Sequence, residues 1–249
     1  ASRMKIPILL LEQNAVPGFT NRRLLGRAEK VAAAFQASLV HLKGKGVFLG
    51  NPVRPEFSRL PRKIHGGRIE LLVFGGSQGS HFLNTAVTAA LPFLRRWKDR
   101  LRIVHQTGKA DLAEVRRSYA QDGFPDSIVE PFFDDMPARF GEADLVVARA
   151  GATTCAELIA ARKAAILVPF AGAADDHQRK NAEILAEAGG ADVILESEWS
   201  PQRFAATLGG LIERPERLKA MEDALAVLAV EDAAGKTADL ALSLMGRRK

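Results

Sequence analysis

Residues 71–80, LLVFGGSQGS, join four apolar residues to a turn that contains three glycines. A glycine turn that opens a helix lets backbone N–H groups approach an anion closely, with the positive end of the helix dipole behind them. The candidate anion-binding residues are Gly75, Gly76, Ser77 and Gln78. A tight turn that only requires positive φ would give the same pattern, and short glycine motifs also occur by chance. The turn alone leaves both interpretations open.

A second turn of small residues, RAGATTCAE, occupies residues 149–157. Thr153 and Thr154 could cap a helix or bind a phosphate at its N-terminus. Glu157 lies about one turn further on, where its carboxylate could accept hydrogen bonds from the vicinal hydroxyls of a ribose. A capping threonine followed three residues later by glutamate is also the capping-box pattern. Both roles are compatible with the sequence.

Two more polar or aromatic loops follow predicted strands. Residues 170–181, FAGAADDHQRKN, contain Asp176, His177 and Gln178, and residues 131–136, PFFDDM, contain Phe133. Taken singly, the first is typical of a solvated loop and the second of core aromatic residues. A nucleotide site needs an anion turn, a ribose carboxylate and a base pocket together. The four loops therefore predict a nucleotide site if one sheet edge collects them.

The pattern along the chain alternates short apolar runs with amphipathic stretches, which predicts a parallel sheet covered by helices. Ligands of such sheets bind at the carboxyl ends of the strands. The predicted helices are 21–36, 80–98, 153–161 and 177–188. The predicted strands are 8–11, 39–42, 69–74, 102–106, 127–130, 145–148, 166–169 and 192–195.

Composition excludes several classes of protein. The 249 residues are 47% hydrophobic and 26% charged, as in a globular protein, and no apolar run approaches the roughly 20 residues of a membrane span. A single cysteine excludes an internal disulfide. The net charge of +6 is spread along the chain and aromatic residues are only 6%, so we predict no nucleic-acid partner. The five histidines are scattered, which predicts no metal site.

Seven segments together are similar to one family, the MurG-type glycosyltransferases of bacterial cell-wall synthesis. The resemblance implies transfer of N-acetylglucosamine, with inversion, from UDP-GlcNAc to the undecaprenyl-linked acceptor lipid I, which gives lipid II. It implies no cofactor, donor binding without a metal, and a cytoplasmic, peripheral location on the inner face of the cell membrane. The segments are LEQNAVPGFTNR (11–22), GNPVRPEF (50–57), FGGSQGS (74–80), HQTG (105–108), PFFDDM (131–136), ARAGATTCAEL (148–158) and ADDHQRKNA (174–182).

The resemblance implies an α/β fold of the GT-B type, with doubly wound parallel sheets. Residues 1–50 are then the end of the N-terminal domain, which binds the acceptor and the membrane, and 51–66 are the interdomain linker. Residues 67–224 form the complete UDP-GlcNAc-binding domain, and 225–249 a C-terminal helix that packs back toward the N-terminal domain.

The resemblance also implies roles for individual residues. Asn14 is expected to reach the donor sugar, and Arg54 and Ser77 to meet the diphosphate. The backbone of Phe133 is expected to read the uracil edge, and Gln178, next to His177, to hold sugar hydroxyls. The nucleotide-binding segment consists of Ala152, Thr153, Thr154, Cys155, Ala156 and Glu157, with Glu157 on the ribose.

The chain departs from the family at several points. The glycine-rich loop GGTGGH, whose histidine is favoured in the family as the base that activates the acceptor, does not occur in the 249 residues. We assign no catalytic base, expect Glu12 to be structural, and expect the chain alone to bind donor without transferring it. Arg162 and Ala164 replace a common glycine and proline. Two alternatives stay open, a binding subunit that needs a separate N-terminal chain and a GT-B UDP-sugar epimerase.

Overall fold

A computed structural model describes residue 4 and residues 6–246. Residues 1–3, 5 and 247–249, which belong to the predicted first and last segments, lie outside the described residues. The elements in chain order are β1 (Leu9–Glu12), α1 (Phe19–Leu24), β2 (Lys30–Ala33), β3 (Gly46–Phe48), α2 (Pro55–Ser58), β4 (Ile69–Phe74), α3 (His81–Leu94), β5 (Leu101–Gln106), α4 (Leu112–Gln121), β6 (Ile128–Glu130), α5 (Met136–Glu142), β7 (Leu145–Ala148), α6 (Ala152–Ala161), β8 (Ala165–Leu167), α7 (His177–Glu187), β9 (Ala191–Val193), α8 (Pro201–Ile212), α9 (Pro215–Leu228) and α10 (Ala233–Met245).

The strands form two parallel sheets. A three-stranded sheet has the order β1-β2-β3, and a six-stranded sheet has the order β6-β5-β4-β7-β8-β9. In the larger sheet the chain runs outward from β4 through β5 to β6 and then returns to the other side of β4 as β7. The strand order therefore reverses between β4 and β7, and a crevice opens at the carboxyl ends of strands at such a reversal.

The larger sheet is covered on both faces, which explains its continuous apolar strands. Leu71 and Val73 of β4 pack in one core cluster, whereas Leu72 and Phe74 pack in the other. Alternate side chains of one strand point to opposite faces, so β4 packs against the helices on both faces of the sheet. This strand lies at the centre of the six-stranded sheet and sets the position of the glycine turn that follows it.

Two predictions in the N-terminal part are wrong. The predicted strand 39–42 falls on the end of a 3₁₀ helix, Gln36–His41, and on Leu42, which caps it. The predicted helix 21–36 is divided into the end of α1, a 3₁₀ turn at Leu25–Arg27, and β2, which pairs with both β1 and β3. A short buried strand and a buried helical turn have the same apolar sequence, and only the pairing partners distinguish them. Strand β2 was missed for this reason, and the three-residue strand β3 was also not predicted.

The other predicted strands and helices are confirmed within a few residues of their bounds. The predicted C-terminal helix is divided, since α9 ends at Leu228 and α10 begins at Ala233. Val230 and Ala233, which lie between and at the start of these helices, lie against Gly50 after β3, where an added Cβ would be 2.9 Å from the Cβ of Val230. This segment therefore returns to the N-terminal part of the chain.

The segment that joins the two sheets is held by a largely buried group of charges, which we call the linker cluster and define as Lys63, His65, Asp144, Lys163 and Glu222. Asp144, immediately before β7, accepts hydrogen bonds from Lys63 Nζ and from His65 Nδ1, each at 2.8 Å. On the other side of the imidazole, Nε2 lies 3.2 Å from Glu222. The cluster lies at the amino ends of β4 and β7, opposite the edge that carries the glycine turn.

The first prediction concerns Arg162, which ends α6 in the left-handed conformation with a φ of 52° and donates to the carbonyl of Leu60 at 2.9 Å. Arg162→Ala and Arg162→Gly both lose this bond, but only glycine removes the left-handed penalty of roughly 1–2 kcal/mol. The glycine variant should therefore be about 1 kcal/mol more stable than the alanine variant in chemical unfolding. An alanine variant of equal or greater stability would contradict this account of residue 162.

Candidate functional site

The four loops predicted from the sequence lie at the carboxyl edge of the six-stranded sheet. They follow β4, β6, β7 and β8, and the loops after β4 and β7 flank the reversal of strand order. In a parallel sheet the loops that follow the strands all lie at the same edge, so residues far apart in the sequence meet there. The topology thus assembles one candidate site from four separate stretches of sequence.

The turn after β4 requires its glycines. Gly76 and Gly79 have φ values of 99° and 78°, which favour glycine. A Cβ on Gly79 would overlap the carbonyl oxygen of Thr107 and therefore cannot be accommodated. Ser77 and Gln78 are exposed at the tip, and Ser80 caps α3 by accepting from the N–H of Leu83 at 3.3 Å. The turn presents exposed backbone and the Ser77 hydroxyl in front of a helix N-terminus.

A second helix N-terminus lies across the reversal from this turn. Gly151 precedes α6, and Cys155 N–H is the donor to its carbonyl, at 2.9 Å. The N–H groups of Ala152, Thr153 and Thr154 therefore have no acceptor inside the helix and can face an anion. The capping-box interpretation is wrong, because Gly151 is the cap and makes no side-chain cap bond. Both threonines lie within the first helical turn instead.

Glu157 also lies on α6, where its side chain is partly buried on the side of the helix that faces the start of the linker. Burial raises the pKa of its carboxyl group to about 7, although the positive charge of Arg54 acts in the opposite direction. The described residues supply neither an ion pair nor a hydrogen bond to this carboxylate. Burial disfavours ionisation of this acid, but its oxygens have no protein donor among the described residues, so they can accept hydrogen bonds from a ligand, which would favour the ionised form.

The loop after β6 is held in place by Phe133. Its ring is buried, with the guanidinium of Arg139 5.0 Å from the ring centre, and its N–H donates to Gln106 Oε1 at 2.8 Å. The N–H of Phe133 is thus occupied by a protein acceptor in this structure. The carbonyl of Phe133 is therefore the part of this backbone that can accept from a base.

The loop after β8 leads into α7 and carries His177 and Gln178, both partly buried. Gln178 Oε1 accepts from the N–H of Phe170 at 3.0 Å, so this bond holds the side chain against the loop and leaves its amide NH₂ available as a donor. Asp175 and Asp176 precede them in the left-handed conformation, and Asp175 pairs with Arg22 at 2.6 Å. The loop therefore contacts the N-terminal part of the chain.

Asn14 lies at this contact rather than in open solvent. Its Oδ1 accepts from Asn181 Nδ2 at 3.1 Å, and its own N–H donates to Glu12. The carboxylate of Glu12 is 2% exposed and also accepts from Gly18 N–H at 3.0 Å and Asn21 Nδ2 at 2.8 Å. Both oxygens of Glu12 are used to hold the turn after β1, as expected for a structural carboxylate.

The comparisons with known proteins agree with this arrangement. The family model described as the glycosyltransferase family 28 C-terminal domain matches residues 70–237. The chain belongs to glycosyltransferase family 28. The matched residues begin in β4 and include all four loops of the candidate site.

Two family 28 relatives illustrate the similarity over almost the whole chain. Both are named UDP-N-acetylglucosamine–N-acetylmuramyl-(pentapeptide) pyrophosphoryl-undecaprenol N-acetylglucosamine transferase. The one from Myxococcus xanthus is 46% identical over 97% of this chain, and the one from Syntrophotalea carbinolica is 43% identical over 99%. The chain spans 64% and 69% of the lengths of these curated relatives.

Solved structures place the family 28 chain among GT-B glycosyltransferases. The crystal structure of Acinetobacter baumannii MurG superposes with a TM-score of 0.81 at 31% identity, and covers 97% of this chain, which covers 69% of that one. A structure titled putative UDP-N-acetylglucosamine 2-epimerase from Listeria monocytogenes superposes with a TM-score of 0.65 at 13% identity, covering 94% of this chain and 64% of that one. The second likeness concerns the fold alone.

The structure does not bring every predicted residue of the family 28 segment to the site. Cys155 packs in the core of the sheet and Ala156 is buried, and burial raises the pKa of the Cys155 thiol to about 12. Their side chains therefore support α6 rather than a ligand. Arg54 is exposed and lies over the ring of Phe57 at 5.2 Å, close enough for its charge to act on Glu157.

Sequence reasoning missed two buried polar residues behind the site. Arg149 donates to Ser80 Oγ at 3.0 Å and pairs with Glu196 at 2.5 Å. It therefore joins the N-cap of α3, beside the glycine turn, to the segment that follows β9. Asn181, fully buried, accepts from Ala15 N–H at 2.8 Å and thereby joins α7 to the turn after β1. Each residue had a signal in the sequence. Arg149 is a charged residue directly after an apolar strand, and Asn181 is an amide residue on the apolar face of a helix.

Two kinds of feature are absent from residue 4 and residues 6–246. No group of three or more His, Cys, Asp or Glu residues there is placed to hold a metal ion. No helix in that part of the chain has the length and hydropathy needed to cross a membrane.

Proposed function

We propose that this chain carries the donor-binding part of a transferase that moves N-acetylglucosamine from UDP-GlcNAc to lipid I to give lipid II. The observation that carries the proposal is the meeting, at one reversal of strand order, of the Gly75–Gly76 turn, the open N-terminus of α6 and the partly buried carboxylate of Glu157. The names of the relatives from Myxococcus xanthus and Syntrophotalea carbinolica supply the reaction.

In this proposal the diphosphate lies between the two helix N-termini. The turn at Gly75, Gly76 and Ser77 approaches it from β4, and the N–H groups of Ala152 to Thr154 approach it from α6. Both helices direct the positive ends of their dipoles at the same point, which stabilises the negative charge that develops as UDP leaves. Arg54 adds an exposed positive charge from the linker, so the donor is bound through protein groups without a metal.

The two ends of the donor are read by different loops. Glu157 accepts hydrogen bonds from the ribose hydroxyls, and the backbone of Phe133 meets the uracil edge. Gln178 donates its amide NH₂ to hydroxyls of the N-acetylglucosamine, with His177 beside it. Asn14 and Asn181 hold the turn after β1 against α7, which positions the N-terminal part of the chain over the sugar.

The acceptor determines where the reaction takes place. An undecaprenyl chain keeps lipid I in the membrane, so the proposed enzyme works as a peripheral protein on the cytoplasmic face. The exposed end of α1 is compatible with such a surface, since Phe19 is 69% exposed and the exposed Arg23 follows it. Basic and apolar side chains together favour an anionic membrane surface.

The second prediction tests donor binding at α6. Thr154→Ala should weaken UDP binding by about 1.5–3 kcal/mol, because a hydrogen bond to a charged phosphate is lost. The measurement is calorimetric titration of the purified chain with UDP and UDP-GlcNAc. Thr237→Ala is the matched control, since the Thr237 hydroxyl bonds to Ala233 of α10, at 2.7 Å. A folded Thr154→Ala variant with unchanged affinity would remove α6 from the proposed site.

A further inference from the structure

One buried side chain connects the two loops that the donor would have to bridge. Gln106 is the last residue of β5 and is 2% exposed. Its Nε2 donates to the carbonyl of Gly76 at 3.0 Å, and its Oε1 accepts from the N–H of Phe133 at 2.8 Å. One carboxamide therefore spans the glycine turn after β4 and the loop after β6.

The chemistry of this bridge requires glutamine. The two partners are a carbonyl and an N–H, so the residue between them must donate on one side and accept on the other. Asparagine is shorter by one methylene and cannot extend as far from the same backbone position. Loss of this buried amide leaves the N–H of Phe133 without its acceptor. It also removes the side-chain donor to the carbonyl of Gly76, which keeps only its bond from the N–H of Gly79 at 3.0 Å within the turn.

The neighbouring residues indicate that Gln106 acts on the loops rather than on the strand. His105 points to the opposite face of the sheet, where it bonds to Tyr119 at 2.9 Å and to Asn84 at 3.0 Å. Asn84 Nδ2 donates to Thr107 and Asp111, so its oxygen is the acceptor for His105 Nε2–H, and His105 Nδ1 accepts from Tyr119. Burial lowers the pKa of His105 to about 3, which keeps the imidazole neutral. This network supports β5 from the face opposite Gln106.

We propose that Gln106 is a positioning residue that holds the glycine turn and the Phe133 loop at the separation required by one nucleoside diphosphate. The inference rests on the proposed function and deepens it. Neither half of the ligand touches Gln106, yet the fit of each half depends on it. Binding of the nucleoside and of the diphosphate is thus coupled through this carboxamide.

The test is calorimetric titration of wild type and Gln106→Met with UDP, uridine and inorganic pyrophosphate, together with thermal unfolding of each variant. Methionine has a similar volume and removes both hydrogen bonds. We expect UDP affinity to fall by about tenfold or more, with a smaller change for uridine or pyrophosphate alone, since each of these needs only one loop in place. Tyr119→Phe is the matched control, because it removes a bond from the other face of the same strand and should leave UDP affinity unchanged.

A second variant keeps the inference testable if the methionine variant does not fold. Gln106→Glu retains an acceptor for Phe133 N–H but loses the donor to Gly76, so it should weaken UDP and pyrophosphate more than uridine. A folded Gln106→Met or Gln106→Glu variant with wild-type UDP affinity would overturn the inference alone. Failure of the wild-type chain to bind UDP would overturn the proposed function and this inference together.

Discussion

Asp144→Asn is expected to lower the free energy of unfolding by about 3–5 kcal/mol, because it leaves buried positive charges without their counter-charge. Burial alone would raise the pKa of the Asp144 carboxyl group, but the hydrogen bonds from His65, the Glu70 N–H and Lys63 outweigh it and lower that pKa. With asparagine, Lys63 and His65 face an amide, and Glu222 is the remaining acid of the linker cluster. Urea unfolding at neutral pH measures the change.

The control for this prediction is Asp126→Asn. Asp126 pairs with Arg68 at 3.2 Å on the surface, with two thirds of its side chain exposed, so its loss should change stability by less than about 1 kcal/mol. Equal effects of the two substitutions would show that the linker cluster contributes no more than a surface pair.

The same cluster predicts a dependence of stability on pH. The pKa of His65 is raised to about 9, first by its bond to Asp144 and then by that to Glu222. Because the folded pKa exceeds the ordinary value of 6.5, the stabilisation is complete below pH 6.5 and is lost as pH rises through about 9. This alkaline decline should be smaller in Asp144→Asn. Equal declines in both proteins would exclude His65 as its source.

Glu157→Gln is expected to change stability and donor affinity in opposite directions. In the free protein the carboxylate is partly buried and its pKa is raised to about 7, so ionisation weakens the fold as pH rises from 4.5 to 7. Glutamine removes this penalty and should raise the melting temperature at pH 8. It also replaces a charged acceptor for the ribose hydroxyls, so UDP-GlcNAc binding at pH 8 should weaken by about 1.5–3 kcal/mol.

The pH profile separates these effects from a general disturbance of α6. Wild-type affinity for UDP-GlcNAc should rise as pH increases through about 7, because the ionised carboxylate is the better acceptor, whereas the profile of the Glu157→Gln variant should be flat. Glu183→Gln is the control, since Glu183 is paired with Arg179 at 2.8 Å on the surface of α7. A wild-type profile without this rise would remove Glu157 from the ribose site.

The sequence by itself determined the strands of the six-stranded sheet and the loops at its carboxyl edge. Strands such as 69–74 and 145–148 are continuous apolar runs because both faces of the sheet are covered, and this pattern is legible without any partner. The glycines of the turn after β4 were identifiable because positive φ and close approach to Thr107 admit little else. Local chemistry sufficed wherever the requirement itself was local.

The tertiary structure decided what depended on partners distant in sequence. Strand β2 was mistaken for helix because its pairing with β1 and β3 is what makes it a strand. The helix cap at Gly151, the bridge through Gln106, and the contact of Asn181 with Ala15, 166 residues away, are invisible to spacing alone. A buried polar side chain is placed by the groups that satisfy its hydrogen bonds, and here those groups come from loops that only the folded sheet brings together.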